Sequence, residues 1–135
     1  MAGNAGIGIY QPYVRGYAPH DAVLTLNRVV GNGGWGINVG ATGLSRVVYN
    51  DIDANGAGAL CNAGAYPIDA RLNWWGQATG PATGQILGTG TVVSCPWLGS
   101  EGGTAAPGPI VNTNTAETFC TIQAAIDDTD TLAGH

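Results

Sequence analysis

The side chains that could do chemistry are few, and their spacing limits what they can do. Asp51 and Asp53 stand two apart and would project from the same side of a strand. A carboxylate pair is the equipment of glycoside hydrolysis, where one acid protonates the leaving oxygen and the other attacks or activates water. A lone Asp-x-Asp is slight support for that, and a surface charge pair is the simpler use of Asp51. Asp127, Asp128 and Asp130 cluster near the C-terminus, where a solvated face accounts for them. His20 and His135 have no second His or Cys at ligand spacing, so no metal site is expected. Ser45, Ser94 and Ser100 are the only serines, and none lies in a Gly-x-Ser-x-Gly elbow. Gly6-Ile7-Gly8 and Gly34-Trp35-Gly36 lack the lysine of a phosphate loop. No catalytic residue and no cofactor is assigned, and the chain reads as non-enzymatic.

The cysteines are Cys61, Cys95 and Cys120, with no C-x-x-C pair, so zinc and thioredoxin-like sites are not indicated. One intrachain disulfide with a leftover thiol is one reading; three buried thiols is the other. Cys61–Cys95 is the expected pair, because both fall in or beside strands. Cys120 is then free, or bonded to another subunit.

Composition sets the frame that must hold these residues. The chain has 135 residues, 23 of them glycine, and only 10% are charged. Helical proteins need charged outer faces, and disordered chains carry high net charge with few aromatics. Short strands joined by tight turns fit both the glycine and the low charge. Net charge is −5 with four basic residues and no lysine, which leaves no footprint for nucleic acid. No apolar run approaches a membrane span. The N-terminus, Met1-Ala2-Gly3-Asn4, has neither the basic nor the apolar region of a signal peptide.

A repeat organises the chain. Asn27, Asn50 and Asn73 are 23 residues apart, each preceded by a β-type run. The columns Leu24/Val47/Ala70, Leu26/Tyr49/Leu72 and Val29/Ile52/Trp75 are apolar, and the positions between them are mostly polar. That alternation has the period of a strand, restarted by a turn at Asn. Asn4-Ala5-Gly6-Ile7-Gly8-Ile9 is matched by Asn32-Gly33-Gly34-Trp35-Gly36-Ile37 and by Asn55-Gly56-Ala57-Gly58-Ala59-Leu60. The extra residues of the first interval fall in a loop from Gln11 to His20. The fold expected is all-β: a short right-handed parallel β-solenoid of about three 23-residue coils. Residues one repeat apart then stack at ~4.8 Å. Arg28 falls beside Asp51 and Arg46 beside Asp69, while the three asparagines form a structural ladder that satisfies turn backbone.

The run Asn-x-x-x-Gly-Ile, then a β segment and Asn, resembles the coil of right-handed parallel β-helix proteins of the pectin lyase-like superfamily. Leu72-Asn73-Trp74-Trp75-Gly76, Thr79-Gly80-Pro81 and Pro96-Trp97-Leu98 are similar to the closing segment of secreted bacterial members. The resemblance covers about residues 4 to 98. It implies polysaccharide lyases or glycosidases, the lyases with Asp-ligated calcium and a basic proton acceptor; the residues found do not supply that equipment. Trp74, Trp75 and Trp97 are expected to plug the last coil. Residues 99–114 read as a Gly/Pro/Thr-rich linker. Residues 115–135 resemble the cap that opens such a helix, with Thr118 or Thr121 as N-cap and Phe119, Ile122, Ala125 and Ile126 as one apolar stripe.

An opening element thus stands after a closing one, while Met1 leads straight into a coil. Residues 1–98 are taken as the coils, with the tail docking through that stripe on the first coil of another copy. The expected function is an extracellular or cell-surface structural subunit that self-assembles head to tail into a filament. The alternative is a carbohydrate-binding or polysaccharide-degrading module, a fragment of a larger surface protein. Tyr10, Tyr13, Tyr17 and Trp35 are then the glycan contacts, and polysaccharide is the partner.

Overall fold

The computed structural model describes residues 2–12, 22–40, 44–106 and 108–129. Short strands dominate. The first four are β1 (Ile9–Gln11), β2 (Ala22–Thr25), β3 (Arg28–Val30) and β4 (Trp35–Val39). Next come β5 (Leu44–Val48), β6 (Asp51–Asp53), β7 (Gly58–Asn62) and β8 (Ile68–Asp69). Then follow β9 (Ile86–Gly88), β10 (Val92–Val93) and β11 (Trp97–Leu98). The last are β12 (Ala105–Ala106), β13 (Ile110–Val111), β14 (Thr118–Phe119) and the helix α1 (Ile122–Ile126).

The strands through β10 stack in parallel sheets. One sheet has the order β1-β4-β7-β9, a second β2-β5-β8-β10, and a third pairs β3 with β6. Bridges from Ala2 to Val30 and from Asp51 to Trp74 extend the third sheet at both ends. Partners lie one repeat apart: Arg28 opposite Asp51, Ile37 opposite Leu60, Arg46 opposite Asp69. Apolar side chains point inward from all three sheets. Val29, Ile52 and Trp75 from the third meet Ile37 and Leu60 from the first and Val47 and Ile68 from the second. Each of these is at most 1% exposed.

A fourth level lies beyond the three aligned segments. β9 sits 26 residues after its partner register on β7, Leu60 opposite Ile86, and β10 sits 24 after β8, Ile68 opposite Val92. The run Gly76 to Gln85 shifts the spacing, so the 23-residue rule loses the strands that it still stacks. Trp97 lies across Gly80: a Cβ there would run into the indole ring.

The corners explain the asparagines. Leu26, Tyr49 and Leu72 have φ of 57°, 58° and 58°, and each immediately precedes a ladder asparagine. A single residue in the left-handed region ends a strand and turns the chain. Gly31 and Ala54, with φ of 66° and 51°, do the same before Asn32 and Asn55. The Leu26/Tyr49/Leu72 column is therefore not in the core, although its apolar pattern matches the core columns. Leu26 is 84% exposed and Tyr49 49%. The change of backbone region at the corner flips the side chain outward, and alternation counted along the sequence cannot register that.

Beyond the stack the chain doubles back. β11 and β12 pair antiparallel, as do β13 and β14. The stretch that is linker-like in composition thus carries two of the hairpin strands, Ala105–Ala106 and Ile110–Val111. Gly99 N donates to Thr104 O (3.2 Å), and Gly103 N to Ser100 O (3.0 Å). The expected stripe is divided between two elements, since Phe119 belongs to β14 and the helix covers only Ile122–Ile126. Thr121 is its N-cap, its side chain accepting from Ala124 N (3.1 Å).

The disulfide is Cys95–Cys120, with a Cα–Cα distance of 5.7 Å, which corrects the expected Cys61–Cys95 pair. Cys61 lies on β7, in register with Asn38 and Leu87 in the first sheet. Cys95 follows β10 of the second. The antiparallel return brings Cys120 back beside Cys95, an event that separation along the chain does not reveal. Cys61 is a free, half-buried thiol, and burial pushes its pKa up.

Candidate functional site

The asparagine ladder is the best-defined polar structure. Asn50 Oδ1 accepts from Asn27 N and Asn27 Nδ2, both at 3.0 Å. Asn50 N and Nδ2 donate in turn to Asn73 Oδ1, at 2.8 and 3.0 Å. Asn73 Nδ2 ends on the carbonyls of Val47 and Ala70. A second column runs up the other corner: Asn4 Nδ2 donates to Asn32 Oδ1, and Asn32 Nδ2 to Asn55 Oδ1 (2.8 Å). The aligned Asn4, Asn32 and Asn55 of the repeat carried this signal, which reasoning on the first column alone passed over. These amides are consumed by one another and by backbone, so they are structural groups rather than a ligand rail.

Two charged clusters occupy the outer faces. In the first, Arg28 Nε stands 3.1 Å from Asp51 Oδ2 and 3.0 Å from Glu101 Oε1. The side chain of Asp51 is 11% exposed, and its Oδ1 is buried with no hydrogen-bond partner. Arg28 Nε therefore lies between the Asp51 and Glu101 carboxyls. Burial, then the hydrogen bond and charge of Glu101, push Asp51 up to about 6 against the opposing pull of Arg28. The Arg28 hydrogen bond, followed by that of Asp51, holds Glu101 below the usual carboxylate range. Glu101 has no sequence signal: it lies in a turn 50 residues from Asp51.

In the second cluster Asp69 takes three bonds from Arg71: Nε to Oδ1 at 2.8 Å, Nη2 to Oδ2 at 2.9 Å and the backbone N to Oδ1 at 3.2 Å. Arg46 stands 3.8 Å from Asp69 on the neighbouring strand. The Arg71 hydrogen bond holds Asp69 below the ordinary carboxylate range. A shallow groove of about 180 Å³ runs past Arg46, Tyr49, Asp69, Arg71, Leu72 and Pro96.

The other sequence-assigned residues separate. Trp75 is 0% exposed in the core and Trp97 is 7% exposed, while Trp74 is half-buried in the outward column of Arg28 and Asp51. Trp97 Nε1 donates to Ala78 O (2.9 Å). Tyr10 is 60% exposed on β1 and Trp35 is half-buried on β4. Tyr13, Tyr17, His20, Asp130 and His135 lie outside the described residues. Asp53 accepts from Ala54 N (2.6 Å), so it serves its own corner. Among the described residues no group of three or more His, Cys, Asp or Glu is arranged to hold a metal, and no helix is long and apolar enough to cross a membrane. Comparison of the chain with protein-family models, curated proteins and solved structures gives no match.

Proposed function

We propose that the chain is a non-enzymatic structural module, a short right-handed parallel β-solenoid that associates end to end with copies of itself. The C-terminal segment of one copy docks on the first coil of the next. The observation that carries this is the bare apolar helix. No residue of α1 is buried, and Ile122 and Ile126 are 66% and 50% exposed. At the other end of the stack, Ile7 is 37% exposed beside β1, which with β2 is an edge strand. Solenoid ends carry unpaired backbone and open core that must be covered. A head-to-tail contact that does not close gives a filament. The Cys95–Cys120 bond ties the docking segment to the last level of its own stack. Such bonds persist in oxidising surroundings, which supports an extracellular or cell-surface location.

The test is light scattering and negative-stain electron microscopy of the pure chain across a concentration series. Fibres or concentration-dependent oligomers are expected, and they should be lost when residues 115–135 are removed or when Ile122 and Ile126 are both changed to Asp. Uniform monomers at high concentration would reject the reading, as would normal fibres from the truncated chain. A second reading, a carbohydrate-binding module, draws on exposed Tyr10 and on the groove beside Tyr49. A glycan array with wild type, Tyr10→Ala and Tyr49→Ala separates it from the first.

A further inference from the structure

The two ends of the disulfide sit in very different surroundings. Cys120 lies between β14 and α1, one residue before the N-cap Thr121. Each residue from 109 to 129 is half-buried or exposed. β13, β14 and α1 pack on one another, and hydrogen bonds in this segment stay local: Asn112 N to Glu117 O (2.8 Å), Ala116 N to Asn112 O (2.8 Å) and Asp127 N to Gln123 O (2.9 Å). An isolated two-stranded hairpin is marginal in water. So is a lone helix shorter than ~12–15 residues, and α1 has five. Cys95 is the opposite case. It packs against the hydrophobic core, and the chain on both sides of it is bonded to the stack. Val93 O accepts from Ala70 N (2.8 Å), and Pro96 O from Leu72 N (2.6 Å). The bond thus joins a firm anchor to a segment too small to hold itself, across a sequence separation of 25.

We propose that Cys95–Cys120 is a redox clasp: oxidised, it holds residues 108–129 on the last level of the stack, and reduced, it frees them while the sheets stay folded. A dithiol supplies the two electrons. Its thiolate attacks one sulfur of the bond and expels the other, which takes up a proton. Its second thiol then displaces the mixed disulfide, so Cys95 and Cys120 end as thiols and the reductant as a cyclic disulfide. A closed loop of this length favours the held segment about a hundredfold, and that advantage goes with the bond. The parallel sheets and the asparagine columns do not pass through either cysteine, so the stack is weakened but keeps its own bonds. The clasp is set where disulfides persist and opened where thiols are kept reduced. The freed segment carries the exposed Ile122 and Ile126, so reduction also switches off end-to-end association. That consequence rests on the function proposed above, whereas the clasp itself is a property of a single chain.

The experiment is subtilisin digestion and amide hydrogen exchange of the full chain, oxidised and after dithiothreitol, at a concentration where it is monomeric. The initial cleavage rate within residues 108–129 is expected to rise about ten- to a hundredfold on reduction. The amides of Asn50 and Ile52, which donate to Asn73 Oδ1 and Trp74 O, should stay protected. The double variant Cys95→Ala, Cys120→Ala should digest like the reduced chain without any reductant, and Cys61→Ser should respond like wild type. Equal cleavage of the oxidised and reduced chains would show that packing holds the segment, and would overturn the clasp. Loss of protection at Asn50 and Ile52 on reduction would do the same, because the bond would then be a staple of the whole fold. So would a Cys61→Ser chain that no longer responds, which would assign the effect to exchange with that thiol. In the association assay, fibres that persist in dithiothreitol overturn the regulatory role. An oxidised chain that never associates rejects the end-to-end reading instead, and the digestion result alone then decides the clasp.

Discussion

Removing the middle rung of the asparagine ladder gives the sharpest test of how these sheets are held. Asn50 is 1% exposed. Its side chain is fully engaged: Oδ1 accepts twice from Asn27, and the two hydrogens of Nδ2 are shared among Leu24 O, Val48 O and Asn73 Oδ1, all at 3.0 Å. Asn50→Ala leaves the Asn27 amide, two carbonyls and the Asn73 oxygen without that partner. Each buried polar group left unpaired costs about 1–3 kcal/mol, and water reaching the site offsets part of it, so the expected loss is ~3–5 kcal/mol. For a chain of this size that is roughly 10–15 °C in Tm. Asn27→Ala is the internal control. Its Nδ2 gives up bonds only to Thr25 O and Asn50 Oδ1, at a half-exposed position, so about 1 kcal/mol is expected. Asn50→Asp loses the donor and buries a carboxylate, so its penalty should grow as pH rises through the carboxylate range. Urea denaturation followed by circular dichroism measures all three. A loss below about 1 kcal/mol for Asn50→Ala, or equal losses at positions 27 and 50, would refute the claim that the ladder carries this corner.

Other substitutions probe the remaining features. Leu26→Gly relieves a left-handed residue that packs little, and it should stabilise the chain by about 0.5–1 kcal/mol in the same denaturation assay. Gly80→Ala places a Cβ against the Trp97 ring at a φ of +84°, so a loss of about 2 kcal/mol and a shift in tryptophan emission are expected. Trp75→Ala, which empties a fully buried site, should cost about 3–5 kcal/mol by urea denaturation. Reducing Cys95–Cys120 opens a link across 25 residues, with an expected loss of about 3 kcal/mol. Peptide mapping after alkylation without reductant should label Cys61 alone, and slowly, because burial raises its pKa.

The 23-residue spacing of Asn27, Asn50 and Asn73 was enough to place Arg28 against Asp51 and Arg46 against Asp69, because parallel strands with equal repeats align like with like. The same spacing identified the inward column of Val29, Ile52 and Trp75. It did not separate that column from Leu26, Tyr49 and Leu72, since a left-handed corner turns an apolar residue outward without changing the pattern. It also lost β9 and β10 once the run from Gly76 to Gln85 altered the interval. The candidate site was legible only by half: Arg28 and Asp51 follow from register, whereas Glu101 arrives through a chain reversal. Period and residue type, which are local, settled that this chain stacks strands in parallel and which residues share a level. Only the tertiary structure decided the Cys95–Cys120 bond, the hairpins and the Arg28–Glu101 ion pair. Those depend on where a glycine-rich tail turns back, and many turn geometries satisfy the same glycines, so the final path is set by what the tail meets on the folded stack.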